Sequence, residues 1–310
     1  MEFALYVVAR AVLGLVQALP LRWAARLGRA GGELAHWLDG RHRRMARGNL
    51  SRCFGGEKSP KEIRALAREN FRRIGENFAC AARTAAMSFD ELRPHVEFAG
   101  LELLMPRGGQ PAPRVVVAIG HFGNFELYAR CGRVAPAYQF ATTYRRLRPP
   151  ALDRLLQSVR TRSGTVFFER QSEAAALKAF MRQSGVMLGL LADQAARESG
   201  LRLPFLGHEC YTSPAPAVIA LRYDCALVVA VCCRVALAHW RIEVGPKIAT
   251  RAHGAARPLA EIMGEVNGAF EAAVRRDPAN WFWVHNRWKA RRPRPGRRGS
   301  APQAAGEGRA

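Results

Sequence analysis

Apolar positions open the chain almost without a break. From Phe3 to Leu19 only Arg10 and Gln17 are strongly polar, and their spacing of seven puts both on one helical face. Pro20 ends this stretch just short of the ~20 apolar residues that cross a bilayer. Basic residues follow at once (Arg22, Arg26, Arg29, then Arg41, Arg43, Arg44 and Arg47). An apolar helix flanked by positive charge predicts a membrane-anchoring or interfacial element over 1–20, on the cytoplasmic side of an anionic bilayer, with a buried core helix as the other reading. Met1-Glu2 supplies an acid where a cleaved signal peptide wants basic residues.

Residues 21–50 and 60–87 repeat at helical spacing, with Arg-rich faces opposite apolar ones. Ser59-Pro60-Lys61-Glu62 predicts the start of a helix, with Ser59 as cap and Pro60 in its first position. After Gly/Pro punctuation at 106–113 the pattern changes. Arg114–Ile119 is a short β-branched run with no polar alternation, which predicts a strand buried on both faces. Further strands are predicted at Gln139–Thr143, Thr165–Phe168, Val186–Leu191 and Leu227–Val235, with a weaker one at Trp240–Val244. Helical patterns lie between and after them at 124–134, 150–162, 172–183, 213–223 and 258–276. This alternation predicts an α/β fold: helices flanking one mainly parallel sheet. The expected organisation is an N-terminal helix over 1–20, one domain over 21–289, and a basic tail over 290–310. The tail is mostly Arg, Pro, Gly, Ala and Ser, a composition that predicts disorder.

Composition narrows the class. The chain has 310 residues, 49% apolar, which rules out a mainly disordered or collagenous protein. A mean hydropathy of −0.14 rules out a polytopic membrane protein. The 48 Lys+Arg against 25 Asp+Glu leave a net charge of +23, which calls for an anionic partner: nucleic acid, membrane surface or phosphorylated substrate. Recognisable nucleic-acid motifs are missing, so a basic nucleic-acid-binding protein ranks as the alternative class. The seven cysteines form no CxxC pair, and Cys232-Cys233 lie inside an apolar run. Buried free thiols and a reducing compartment are expected, with no metal site.

The chemistry concentrates after the first strong strand, at Gly120-His121-Phe122-Gly123-Asn124-Phe125-Glu126. Ligands of open α/β sheets bind beyond the carboxyl ends of strands, and His121 falls at such an end. Gly123 permits close backbone approach and Asn124 is placed to cap the following helix. On one helix His121 and Glu126 would face roughly 140° apart. They meet only if His121 stays in the turn and Glu126 enters the helix. A carboxylate holding an imidazole makes a general base, and with no neighbouring Ser or Cys its natural target is a substrate hydroxyl. P-loop, dinucleotide, GxSxG, HExxH and SxxK signatures do not occur.

The HxxxxE block resembles that of glycerolipid-type acyltransferases, and more closely the bacterial lipid A late (lauroyl/myristoyl) acyltransferases with their lysophospholipid-acyltransferase-like relatives. The resemblance runs on in order. It takes in Tyr144-Arg145 through Pro149-Pro150-Ala151-Leu152-Asp153, Arg160 with Gly164, and Ala192-Asp193-Gln194. Leu203-Pro204-Phe205-Leu206-Gly207 with Thr212 and Pro214–Ala217 follows, and Pro278–Trp288 closes it. Roughly residues 5–290 are covered. The sequence departs from the family pattern at Gln194–Glu198, at Pro149-Pro150 and at Pro214-Ala215-Pro216.

The resemblance implies a single glycerolipid-acyltransferase-like domain that moves a fatty acyl group from a carrier thioester to a hydroxyl of a lipid A precursor or similar glycolipid. His121 would be the base and Glu126 its partner, with oxyanion donors in the backbone N–H groups near Gly123 and Asn124. Arg160, Asp193, Tyr144 and Arg145 carry over as substrate-binding residues, Arg160 as a phosphate grip. No cofactor is implied; acyl-acyl-carrier protein or acyl-CoA is the co-substrate. Expected partners are anionic membrane lipids, the lipid acceptor and an acyl carrier protein, at the cytoplasmic face of the bacterial inner membrane. A lysophospholipid, an aminolipid or a phosphoinositide mannoside remains an alternative acceptor. His285, in the aromatic segment Trp281–Trp288, is a secondary candidate; that segment is expected to pack in the core with an exposed rim, a membrane-interface belt being the other reading.

Overall fold

The computed structural model describes residues 2–106, 109–196 and 200–289. The basic tail expected over 290–310 lies outside them. Four helices come first: α1 (Glu2–Ala18), α2 (Leu21–Leu38), α3 (Gly40–Phe54) and α4 (Pro60–Thr84). No helix among the described residues is long and apolar enough to cross a membrane. The Ser59 side chain accepts from the Glu62 N–H and Glu62 returns to the Ser59 N–H, a reciprocal cap that starts α4 where the sequence places it. α2 lies against α4 through glycines. A Cβ on Gly75 would stand 2.1 Å from the Gly28 carbonyl oxygen, and one on Gly32 would stand 2.1 Å from that of Phe71. Only hydrogen fits there.

A short helix α5 (Phe89–Leu92) then leads into a seven-stranded sheet. Its strands are β1 (Val96–Ala99), β2 (Val115–Ile119), β3 (Gln139–Tyr144), β4 (Val166–Glu169), β5 (Val186–Leu191), β8 (Ala226–Ala236) and β9 (His239–Val244). They lie in the order β1-β9-β8-β2-β5-β3-β4. Every neighbouring pair is parallel except the β8–β9 hairpin. The α/β fold with a mainly parallel sheet is therefore as expected. β2 is buried along its whole length, as its unalternated pattern requires.

The connecting helices are α6 (Pro150–Arg160), α7 (Ala174–Phe180), α8 (Ala215–Arg222) and α9 (Leu259–Arg276). Several features escaped the pattern, α5 among them. β1 is a four-residue edge strand, and β6 (Leu201–Phe205) pairs with β7 (His208–Thr212) as a separate hairpin. The hairpin turns on Leu206 and Gly207, both at positive φ, the geometry of a two-residue turn that matches strand twist.

One polar cluster ties the N-terminal helices to the sheet. Glu76 of α4 is fully buried and accepts from Arg29 of α2, from Arg234 of β8 and from the Ala238 N–H in the β8–β9 turn. Burying this carboxylate is tolerable only because every side of it meets a donor.

Candidate active site

Register brings the site together. β2 and β5 are adjacent and parallel, with Ile119 opposite Leu191. Two residues beyond each strand end stand His121 and Asp193, so neighbouring strands deliver imidazole and carboxylate to the same height. The Asp193 carboxylate is buried and accepts three hydrogen bonds. Oδ1 is 2.8 Å from His121 Nδ1, while Oδ2 takes the His121 backbone N–H and Trp281 Nε1–H, each at 2.8 Å. An ionised carboxylate only accepts, so Nδ1 carries the hydrogen and Nε2 is left with its lone pair. Burial works against the charge on Asp193. The adjacent imidazole and the converging N–H donors outweigh it and hold the carboxyl below its ordinary range.

This arrangement corrects the expected pairing. Glu126 does not hold His121; it holds Arg160. Its Oε1 and Oε2 accept from Arg160 Nη2 and Nε at 2.5 and 3.2 Å, a two-pronged clamp, and the guanidinium also lies 5.2 Å over the Phe167 ring. The reason is local. After β2 the chain does not continue into an α-helix. Phe122 bridges antiparallel to Trp281, the Gly123 N–H donates to the Asn280 carbonyl, and Gly123 takes φ +49° with no room for a Cβ beside the Cys232 carbonyl. Residues Phe125–Arg133 then wind as a tighter 3₁₀ helix, and Asn124 makes no side-chain cap. Glu126 is thereby carried toward α6. The clamp also engages Arg160, the residue expected to grip phosphate. A second correction follows, because the Gly123 N–H is spent on Asn280 and is no free oxyanion donor.

Seven of the eight expected site residues (His121, Gly123, Asn124, Glu126, Tyr144, Arg145 and Arg160) line one cavity of about 1500 Å³. Asp193 sits behind the cavity wall, holding His121. The walls are chiefly apolar and come from both faces of the sheet: Val117 and Ile119 with Phe140 on one side, Ala141 and Leu190 with Ile219 on the other. Arg130, Arg145, Arg170, Lys178 and Arg222 also line it.

The aromatic segment packs in the core as expected: Trp281, Trp283 and Trp288 are buried. It also does what the sequence did not reveal. Trp281 donates to Asp193, and Arg287, fully buried, donates to the Gln194 and Tyr211 carbonyls and to Thr212 Oγ1. Arg287 thus pins the loop that follows Asp193. Its position inside the aromatic segment was the one available signal. His285 accepts the Ala195 N–H on Nε2, and burial keeps its pKa low, so it serves as a neutral brace for the same loop.

All seven cysteines are free, and burial raises every thiol. Among the described residues no group of three or more His, Cys, Asp or Glu is placed to hold a metal.

No curated protein matches the chain. The bacterial lipid A biosynthesis acyltransferase family matches it over residues 2–290, nearly all of its 310, so the chain belongs to that family and is an acyltransferase.

Proposed function

We propose that the protein transfers a fatty acyl group from a carrier thioester to a hydroxyl of a lipid A precursor or similar phosphorylated glycolipid, with His121 as general base and Asp193 as its partner. The observation that carries this reading is the His121–Asp193 pair beside a large, mainly apolar cavity with cationic lining. His121 Nε2 removes the hydroxyl proton while Asp193 stabilises the imidazolium that forms. The hydroxyl oxygen bonds to the thioester carbonyl carbon, whose oxygen becomes an oxyanion. Collapse breaks the C–S bond, and the leaving thiolate takes the proton back from the imidazolium. No covalent acyl-enzyme is needed. The apolar walls suit an acyl chain, and Arg145, Arg170, Lys178 and Arg222 suit phosphates of the acceptor or an acidic carrier protein. Glu126 and Arg160 act as one clamped unit at the cavity wall that positions substrate. The setting is the cytoplasmic face of the inner membrane, with α1 associated with the bilayer.

The test is transfer by the purified full-length protein from acyl-acyl-carrier protein or acyl-CoA to a lipid A precursor, read by mass spectrometry. The product gains one acyl group, and His121→Ala loses that gain while keeping its fold. Full transfer by His121→Ala would remove His121 from the mechanism. Acylation of a lysophospholipid alone would replace the acceptor and leave the chemistry intact.

A further inference from the structure

α2 has two opposed faces, and only one is explained by the fold. Gly28 and Gly32 abut α4, and Ala24 and Ala25 are buried on the same side of the helix. On the opposite side Trp23, Leu27, Leu34, Trp37 and Leu38 are each 56–76% exposed. At 100° per residue they fall within about 100° of arc, a continuous apolar stripe. Arg22 and Arg26 run along one edge of the stripe, with Arg26 lying 5.0 Å over the Trp23 ring, and exposed Arg41 and Arg44 follow its carboxyl end. None of these four arginines is paired with a carboxylate among the described residues.

We propose that this stripe is a second membrane-contact surface, distinct from α1, that lies flat in the headgroup region of an anionic bilayer. A soluble domain has little reason to leave two tryptophans and three leucines on one solvent face. Tryptophan flanked by arginine is the chemistry of the lipid interface, where the ring spans the apolar boundary and the guanidinium meets phosphate. The charge picks a lipid surface over a second copy of the chain, because a symmetric pairing of this face would bring like arginine clusters together. The orientation bears on access to the site. α1 joins α2 through Pro20, and Leu13 of α1 lines the cavity, so contact along α1 and α2 holds the cavity beside the bilayer.

The tryptophans supply the test. Four of the six, Trp240, Trp281, Trp283 and Trp288, are buried, which leaves Trp23 and Trp37 to report on the surface. The full-length protein is mixed with vesicles of phosphatidylethanolamine and phosphatidylglycerol whose acyl chains carry bromine near the headgroup. Quenching and a blue shift of the emission are expected, both absent in the Trp23→Phe/Trp37→Phe variant. In Trp23→Ser/Leu34→Ser/Trp37→Ser, with an unchanged melting temperature, vesicle partitioning falls by at least about a hundredfold, given ~1.5–3 kcal/mol per large apolar side chain buried. Vesicle-bound protein with unquenched Trp23 and Trp37 would overturn the proposal. So would a stable dimer by light scattering that buries both rings. No acyl donor or acceptor enters the assay, so failure here and failure of the proposed transfer reaction are separate results.

Discussion

Asp193→Asn is the sharpest perturbation of the site. Oδ2 receives two N–H donors, from the His121 backbone and Trp281, so the amide oxygen must take that position. The amide NH₂ then faces His121 Nδ1, 2.8 Å away, and a donor there demands an acceptor. Nδ1 gives up its hydrogen, Nε2 takes one, and the lone pair that receives the hydroxyl proton in the proposed reaction is gone. For a histidine base held in the wrong tautomer the loss is about 10⁴-fold in kcat, or ~5 kcal/mol of barrier. The fold is affected far less. Both Oδ2 bonds survive and the third changes sense, so the cost is ~1–2 kcal/mol and a few degrees in Tm. The assay pairs the initial rate of acyl transfer with a thermal melt of the same preparation. Transfer within tenfold of wild type, with the melt unchanged, would refute the assignment of Asp193 as the group that holds the base. Asp193→Ala is a poorer probe, because it strands two buried N–H donors at about 1–3 kcal/mol each and confounds folding with chemistry.

Glu126→Gln should act through Arg160, raising KM more than it lowers kcat; a kcat loss equal to that of Asp193→Asn, with KM unchanged, would return Glu126 to the base. Gly75→Ala should separate α2 from α4 and lower the denaturant midpoint sharply, since its Cβ would stand 2.1 Å from the Gly28 carbonyl oxygen. Glu76→Gln should cost about 3–5 kcal/mol in a urea melt, as the buried carboxylate that pairs Arg29 with Arg234 is lost. Glu33 is held down to about 2 by its hydrogen bond to Arg68, with Arg72 adding to it. A depressed carboxylate contributes stability above its ordinary value of 4.5 and loses it as pH falls toward about 2, so Glu33→Gln should flatten that part of the acid unfolding curve. Cys53 and Cys131 are pushed up to about 12 and Cys225 and Cys233 to about 11, so a thiolate-selective reagent at pH 8 should label them only on unfolding.

The sequence by itself determined most of the elements and their type; β1, the β6–β7 hairpin and the 3₁₀ winding of Phe125–Arg133 escaped it. Val115–Ile119 reads as a doubly buried strand because nothing polar alternates in it, and Ser59-Pro60-Lys61-Glu62 starts a helix because its side chains cap it in place. These are local properties of backbone and side chain, and they need no partner. His121 at a strand end was legible for the same reason. Which carboxylate serves it was not. Glu126 is five residues away in the chain and Asp193 is 72, yet the adjacency of β2 and β5 and their Ile119–Leu191 register put Asp193 beside the imidazole. The bridge of Phe122 to Trp281 turns Glu126 away to Arg160. Trp281 and Arg287 enter the site only because the segment 278–289 folds back over the carboxyl edge of the sheet. Periodicity shows that a residue is buried or exposed, but strand order and register are contacts between distant segments, and only the tertiary structure decides them.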